Sequence, residues 1–437
     1  MGIKAINKFL EKNCPECFLN IPLLNFHSHR LAIDASNWVF TNMAVAHKQV
    51  VMESINPVDE PLDREKTLNL TYVALVRFLV RLMNHGITPV WVSDGQPLPE
   101  KRQTREKRQQ ERDNNKAVAE SLLNGLKTTP ILLRSRESIE QYKRKLVYQD
   151  VVGSGDIEMC RNLVSGLGIP SIIAPNDAET LCSAMAIEGL VIGVWSTDTD
   201  NYALGTPLMV TGFATQVSGQ LGVDVVMTPI IRQRLGLSQE TLRDLCIASG
   251  CDYNSNIPNI GPAKSYKFLS QYKSIEEFIK TRPDLPAHMY NHIRCRQIFT
   301  PTPSGYTHDS TLLHLDRDRF MTMSRDLVTQ YGLSLEYESL IAATKCVASP
   351  KLVTFTDGTE SSSTGDNESR SSAHSPPDPS LSRVEFGSQP APRAGIRLKI
   401  RTSSTQPPPS SLPIDTMLQQ LTLQEHTTSS PRIGVLL

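Results

Sequence analysis

The chain has 437 residues, room for two or three average domains, and its 45 Lys and Arg are matched by 45 Asp and Glu. Net charge therefore gives no sign of a polyanionic partner, and any nucleic-acid surface must come from local sorting of charge. The eight cysteines are scattered, which predicts the free thiols of a reduced intracellular protein rather than a disulfide scaffold. No apolar run reaches the ~20 residues that span a bilayer, and the opening MGIKAINKFLEKN has neither a signal-peptide core nor the Ser or Thr of a myristoylation site. A soluble chain without a membrane anchor is expected.

In chain order, the first predicted strand is Leu31-Ala32-Ile33, ending at Asp34. The positions Leu68, Tyr72, Leu75, Leu79, Leu82 and Met83 then mark a helix closed by Gly86. A second strand, Val90-Trp91-Val92, runs into Ser93-Asp94. Seven residues later KRQTREKRQQERDNNK places Lys101, Arg105, Arg108, Arg112 and Lys116 at steps of four, three, four and four, one face of a helix. Such a run is commonly a solvated face with internal pairs to Glu106 and Glu111. Here the stripe begins just beyond a candidate metal ligand, where a scissile phosphate would need cations.

Pro175-Asn176-Asp177-Ala178-Glu179 reads as a turn opening a helix through Leu181, Cys182, Met185 and Ile187 to Gly189. A third strand, Val191–Trp195, precedes Asp198 and Asp200, which point to one side if the extended conformation persists. Ser238 can cap a helix reaching Gly250-Cys251-Asp252-Tyr253. Beyond it, Gly261 permits close backbone approach, and Pro262 suits a first helical position whose amides can grip a phosphate irrespective of base. From about Lys351 Ser, Thr and Pro dominate and periodicity is lost, predicting a disordered tail over 351–437. That tail carries a basic patch over 393–401 and a short apolar element over 417–423, and solvated filler is the expected reading of both.

Strands alternating with helices predict an α/β fold with a mostly parallel sheet, whose ligands sit outside the carboxyl ends of the strands. Asp34, Asp94, Asp177, Glu179, Asp198, Asp200 and Asp252 emerge there or follow closely. Carboxylates gathered together raise one another's pKa unless a counter-charge is present. Mg²⁺, which favours a few carboxylates with water and phosphate, supplies it, and two such ions about 4 Å apart support in-line hydrolysis of a phosphodiester. Cys14-Pro-Glu-Cys17 is a lone CxxC without a second pair and carries no weight as a zinc site.

These residues, in this order, resemble the flap endonuclease/XPG family of structure-specific 5′ nucleases. The resemblance covers roughly residues 1–350 through MGI with LAIDAS, VSDGQP with its basic helix, GIPSIIAPNDAET through STDTDNYALG, and ASGCDYNSNIPNIGPAKS. It implies a PIN-like nuclease domain with a helical arch or gateway and a helix–two-turn–helix element. Residues 1–130 would be the N-terminal nuclease region with the gateway helix, and 131–350 the internal region. By position, Asp34, Asp94, Asp177 and Glu179 would serve one Mg²⁺, and Glu179, Asp198, Asp200 and Asp252 a second, with Mn²⁺ able to substitute.

Lys101 and Arg108 match the gateway cations that position the scissile phosphate. Gly2, Phe40, Arg105, Arg112, Gly261 and Lys264 would contact DNA, with a monovalent cation at the Gly261 turn. The family usually has Glu at Asp177 and often a stacking Tyr at Phe40, so water-mediated ligation and stacking without a hydroxyl are expected here. Residues 47–66 replace the usual loop, leaving the hydrophobic wedge undefined. The tail lacks the Gln-plus-paired-aromatic motif, so sliding-clamp binding is not expected.

The divergence around an intact acidic set is similar to that of copies encoded by large DNA viruses of the iridovirus and poxvirus kind. The resemblance implies a monomer acting on branched or 5′-ended DNA in replication, repair or recombination. It would work in the nucleus, or for a viral copy in the host nucleus or a cytoplasmic factory. A Holliday-junction or bubble nuclease shares every catalytic residue. A catalytically silent DNA-binding scaffold and an RNA-directed PIN-type ribonuclease are the alternatives from other classes.

Overall fold

The computed structural model describes residues 2–149, 152–255, 257–347 and 349–356, with the strand segments 381–385 and 399–401. At its centre is a sheet of seven strands: β1 (Phe18–Pro22), β2 (Arg30–Asp34), β3 (Thr88–Ser93), β4 (Ser171–Ile173), β5 (Val194–Trp195), β6 (Leu208–Thr215) and β7 (Leu221–Met227). Their spatial order is β1-β7-β6-β5-β2-β3-β4. From β6 through β4 all neighbours are parallel, whereas β7 pairs antiparallel with β6 and β1.

The helices used below are α1 (Ile6–Asn13), α2 (Ala35–Glu53), α3 (Arg64–Asn84), α4 (Arg102–Thr128), α5 (Arg136–Val147), α6 (Ser154–Gly166), α7 (Ala178–Ile187), α8 (Asp200–Leu204), α9 (Thr228–Leu235), α10 (Gln239–Ser249) and α11 (Pro262–Tyr272). Strands β2 and β3 are buried along their whole length because both faces of the sheet are covered. Their alternate residues divide between two cores. Leu31, Ile33 and Trp91 pack with α2 and α3 through Trp38, Leu75, Leu79 and Leu82. Ala32, Val90 and Val92 pack with α7 through Ala178, Cys182 and Met185. A third core joins α1 to α8–α11 through Ile6, Leu10, Tyr202, Leu245 and Leu269.

Local signals account for the helix ends. Asp63 caps α3 by accepting from the Lys66 amide at 2.8 Å, and Ser238 caps α10 by accepting from Thr241 at 3.2 Å. Past α3, Gly86 takes φ +72°, and a β-carbon there would stand 2.2 Å from Nδ1 of His27, so the turn into β3 admits no side chain. α4 has 27 residues, about 40 Å of helix, with only Ala119 and Leu126 buried. It returns through α5, and a small core of Val51, Val58, Ala119, Leu126, Tyr142 and Leu146 ties the pair to the end of α2. Residues 101–147 hold 13 Lys and Arg against 6 Asp and Glu, so the balanced chain does sort its charge locally.

Two expectations change. The strand expected over 191–195 shortens to Val194–Trp195, and Asp200 already opens α8, so Asp198 and Asp200 are not carried by extended backbone. A tight turn brings them together instead, with the Asp200 amide donating to Oδ1 of Asp198 at 3.1 Å. The fold also runs past 351. Leu352–Thr356 is a strand, the Lys351 amide donates to Ser28 O at 2.8 Å, and that of Val353 donates to Gly189 O at 3.0 Å. Strands from 1–130 and 131–350 interleave in one sheet. Of the basic patch only Lys399–Arg401 is described, as a strand, and the apolar element at 417–423 lies outside the described residues. All eight cysteines are free thiols, with only Cys346 exposed. Among the described residues no helix is long and apolar enough to cross a membrane.

Candidate metal and nucleic-acid site

Asp34 ends β2, Asp94 follows β3, Asp177 and Glu179 open α7, Asp198 and Asp200 lie beyond β5, and Asp252 follows α10. All but Asp252 therefore stand at the carboxyl edge of the parallel strands, and α10 delivers Asp252 to the same place. Asp34, Asp177, Glu179, Asp198 and Asp200 are each less than a tenth exposed.

Their electrostatics report the crowding. Burial, then the charges of Asp94 and Asp198, pushes the Asp34 carboxyl up to about 7. Burial pushes Glu179 up to about 8; Lys101 opposes the rise while Asp34, Asp198 and Asp177 add to it. Asp200 is driven well above the carboxylate range by burial and by Asp198 and Glu179, and burial raises Asp198 as well.

Neighbouring donors fix the acids in place. Asp34 accepts from the Asn37 amide at 3.1 Å and from Ser196 Oγ at 3.0 Å. Asp94 accepts from Ser36 Oγ and from the Ala178 amide at 2.7 Å, which links β3 to the start of α7. Asp200 differs: both its carboxylate oxygens are buried without a hydrogen-bond partner. An uncompensated buried carboxylate is costly, and a cation is the species that would satisfy two bare oxygens among like charges.

The arch supplies the counter-charge. Lys101 Nζ lies 2.9 Å from Glu179 Oε1 and 3.1 Å from Asp177 Oδ2. Burial works against its charge, but Glu179 and Asp177 hold it firmly protonated. Arg108 donates to Asp252 Oδ2 at 2.6 Å, and Thr104 Oγ1 to the Asp252 carbonyl at 2.8 Å. Among the described residues no three His, Cys, Asp or Glu side chains form a ready-made metal cluster. The residues still fit divalent cations through Asp200's bare oxygens and the hard carboxylate donor set.

The basic stripe divides. Lys101, Arg108 and Arg112 are partly buried, whereas Arg105 and Lys116 are exposed. The bland pairing also occurs in part, with Arg102 to Glu106 at 2.7 Å. Gly2 reaches the acids directly: with φ +82°, a β-carbon would fall 2.2 Å from Asp198 Oδ1 and 2.8 Å from Asp200 Oδ1. Phe40 lies exposed on α2. Gly261 precedes α11 in extended conformation with open space where a β-carbon would project, so the fold itself does not demand glycine there. Lys264 is exposed one turn on.

Sequence reasoning missed Ser36, Asn37, Ser196, Thr104 and Tyr253. Tyr253 OH donates to Asp177 Oδ2 at 3.0 Å, and its only signal was adjacency to Asp252.

A doubly covered parallel sheet with an acid cluster at its carboxyl edge, arched over by a basic helical hairpin, defines the class: a PIN-like α/β nuclease fold. The model of the XPG N-terminal domain matches residues 1–115, and that of the XPG I-region matches 168–252. Flap endonuclease 1 of Xiphophorus maculatus is 30% identical over 280 residues, spanning 64% of this chain and 69% of that protein. Flap endonuclease 1 of Cryptosporidium parvum is 29% identical over 317 residues, spanning 68% of this chain and 60% of the relative. Among solved structures, the catalytic core of Rad2 in complex with DNA substrate aligns with a TM-score of 0.53 at 19% identity, over 78% of this chain and 100% of that one. Human GEN1 in complex with Holliday junction DNA aligns at 0.50 and 18% identity, over 78% and 77%. The chain belongs to the flap endonuclease/XPG family.

Proposed function

We propose that the chain is a structure-specific endonuclease that hydrolyses DNA phosphodiester bonds at 5′ flaps and related branched or 5′-ended structures, with 5′ to 3′ exonuclease activity as a variant of the same chemistry. The observation that carries this reading is Asp200, with two buried, unpartnered oxygens inside a group of mutually repelling acids. Asp34, Asp94, Asp177 and Glu179 would hold one Mg²⁺, and Glu179, Asp198, Asp200 and Asp252 another. Such ions supply an activated water and stabilise the leaving oxygen.

The chain's own residues do the rest. Lys101 and Arg108 leave their acids and turn to the scissile phosphate, where their charge opposes what builds up in the transition state. Gly2 keeps the floor of the site open beside Asp198 and Asp200. Arg105, Arg112 and the Gly261 turn with Lys264, a turn that would also hold a monovalent cation, would grip backbone phosphates without reading sequence. Phe40 would stack on a terminal base. A monomer acting in the nucleus is the expected form, or in a cytoplasmic factory for a copy of viral origin.

The test is a 5′-labelled flap incubated with and without Mg²⁺, beside nicked, bubble and four-way substrates and an RNA version of the flap. Metal-dependent cutting at the base of the DNA flap is expected. Cutting only the four-way junction or bubble moves the specificity, preferring RNA moves the class, and no cutting with DNA still bound makes the chain a scaffold.

A further inference from the structure

The family's usual glutamate is an aspartate in this chain, and the structure holds that shorter arm in a specific way. Oδ2 of Asp177 accepts from Tyr253 OH at 3.0 Å and lies 3.1 Å from Lys101 Nζ. The same ammonium stands over the Tyr253 ring, 5.2 Å from its centroid. Tyr253 is itself buried, 5% exposed and packed edge-on against Phe299 with centroids 5.2 Å apart. One phenol thus meets the carboxylate with its hydroxyl and the gateway cation with its face.

We infer that Tyr253 is a positioning residue: it fixes the short Asp177 carboxylate toward the metal site and provides the resting place of Lys101, so that metal loading and release of the gateway cation compete for one carboxylate. The inference rests on the metal-dependent reading above. A carboxylate one methylene shorter reaches less far, so its direction matters more. The Tyr253 and Lys101 contacts both fall on Oδ2, so a metal would be held through Oδ1, directly or through water. Lys101 and a divalent cation cannot both neutralise Asp177 and Glu179, because the ammonium already stands within 3.1 Å of each. Tyr253 and Lys101 therefore act on ion affinity with opposite signs, a pattern that a merely structural contact does not produce.

The experiment measures Mn²⁺ binding by electron paramagnetic resonance on the full chain without DNA, for wild type, Tyr253→Phe, Lys101→Met, Asp177→Glu and the double variant Asp177→Glu with Tyr253→Phe. Tyr253→Phe keeps the ring and its packing on Phe299, and thermal unfolding of each variant checks the fold. Loss of the hydroxyl is expected to weaken Mn²⁺ about tenfold or more, the size of one hydrogen bond to a charged group. Lys101→Met is expected to tighten Mn²⁺ at least threefold although it slows cleavage. In the Asp177→Glu background the longer arm makes the hydroxyl dispensable, so Tyr253→Phe should then change affinity less than twofold.

Wild-type affinity in Tyr253→Phe, weaker binding in Lys101→Met, or a Tyr253→Phe loss that is equal with and without Asp177→Glu overturns the inference. If Tyr253→Phe fails to fold, the sign of the Lys101→Met change still decides it. A wild-type chain that neither binds Mn²⁺ nor cuts DNA refutes the nuclease reading instead, so the two failures are distinguishable.

Discussion

The acid edge of the sheet and the basic arch above it carry opposite charge on opposite kinds of scaffold. Asp34, Asp198 and Asp200 hang from strand ends and a tight turn and are buried, at most 8% exposed. Lys101, Arg105 and Arg108 stand on or just before a 27-residue helix that buries only two of its residues, with long side chains able to reach several places. The fixed partner is therefore the anionic one and the movable partner the cationic one. Ligands that need ångström placement belong on rigid elements, whereas a cation that must first neutralise an acid and then a phosphate belongs on a compliant one.

The hardest way to break this contrast is to remove a fixed charge. Asp200→Asn should lower Mg²⁺-dependent cleavage by roughly 10³-fold or more, several kcal/mol of transition-state stabilisation. The same change removes a buried carboxyl group whose oxygens have no hydrogen-bond partner and whose ionisation the neighbouring acids oppose, so without divalent ions at pH 8 the variant should unfold at a higher temperature than wild type. Lower activity with lower stability would mean that Asp200 is an ordinary core residue. Arg108→Ala should cost about 10²-fold in cleavage, the effect of one transition-state donor. Because Arg108 reaches in from the arch, folding should survive, which single-turnover rates and a melting curve together would check.

Proton linkage offers a test intermediate in size. Asp34 at about 7 and Glu179 at about 8 titrate above the ordinary carboxyl range in the fold, whereas in the unfolded chain they titrate near about 4. Between those limits the folded state binds more protons than the unfolded one. Without divalent ions, stability is therefore greatest in acid as far as these two groups are concerned, and is lost as pH rises through 7 to 8. A fall in melting temperature on the order of 5 °C from pH 5.5 to 8.5 is expected, reversed by Mg²⁺. Cleavage at subsaturating Mg²⁺ should climb over the same window, since ligation needs the deprotonated acids. A flat melting profile would separate the acids from one another.

The same contrast explains what could be read from the chain. Leu31-Ala32-Ile33 before Asp34 and Val90-Trp91-Val92 before Asp94 were legible as strands because a doubly covered strand is apolar on both faces, and the sheet places both acids at the carboxyl edge. The caps at Ser238 and Pro262 were legible because they are local. The Asp198–Asp200 turn was not. Alternation at a spacing of two suits strand and turn alike, and the choice falls to α8 packing against α7 and α10. Nor could spacing show which basic side chains turn inward, because Lys101 and Arg108 meet residues 78 and 144 positions away. The strand at 352–356 was hidden by its Ser- and Thr-rich surroundings, and what ties it to the fold is distant in sequence: backbone bonds from Lys351 to Ser28 and from Val353 to Gly189.

The finest division lies within α4. Arg105 and Arg108 are three residues apart with the same chemistry, yet Arg105 is exposed and Arg108 is bonded to Asp252. If the inner cation serves the reacting phosphate and the outer one only the DNA backbone, the two alanine variants must differ in kind. Arg105→Ala should weaken binding a few-fold and about equally on flap, nick and bubble substrates. It should also reduce the slope of log affinity against log salt by about 0.9, the release of one condensed counterion. Its rate at saturating DNA should stay within about twofold of wild type, whereas Arg108→Ala loses rate even when DNA saturates. Should Arg105→Ala slow the saturated reaction as much as Arg108→Ala does, the helix would act as one undifferentiated charged face, and its inward and outward cations would have no separate roles.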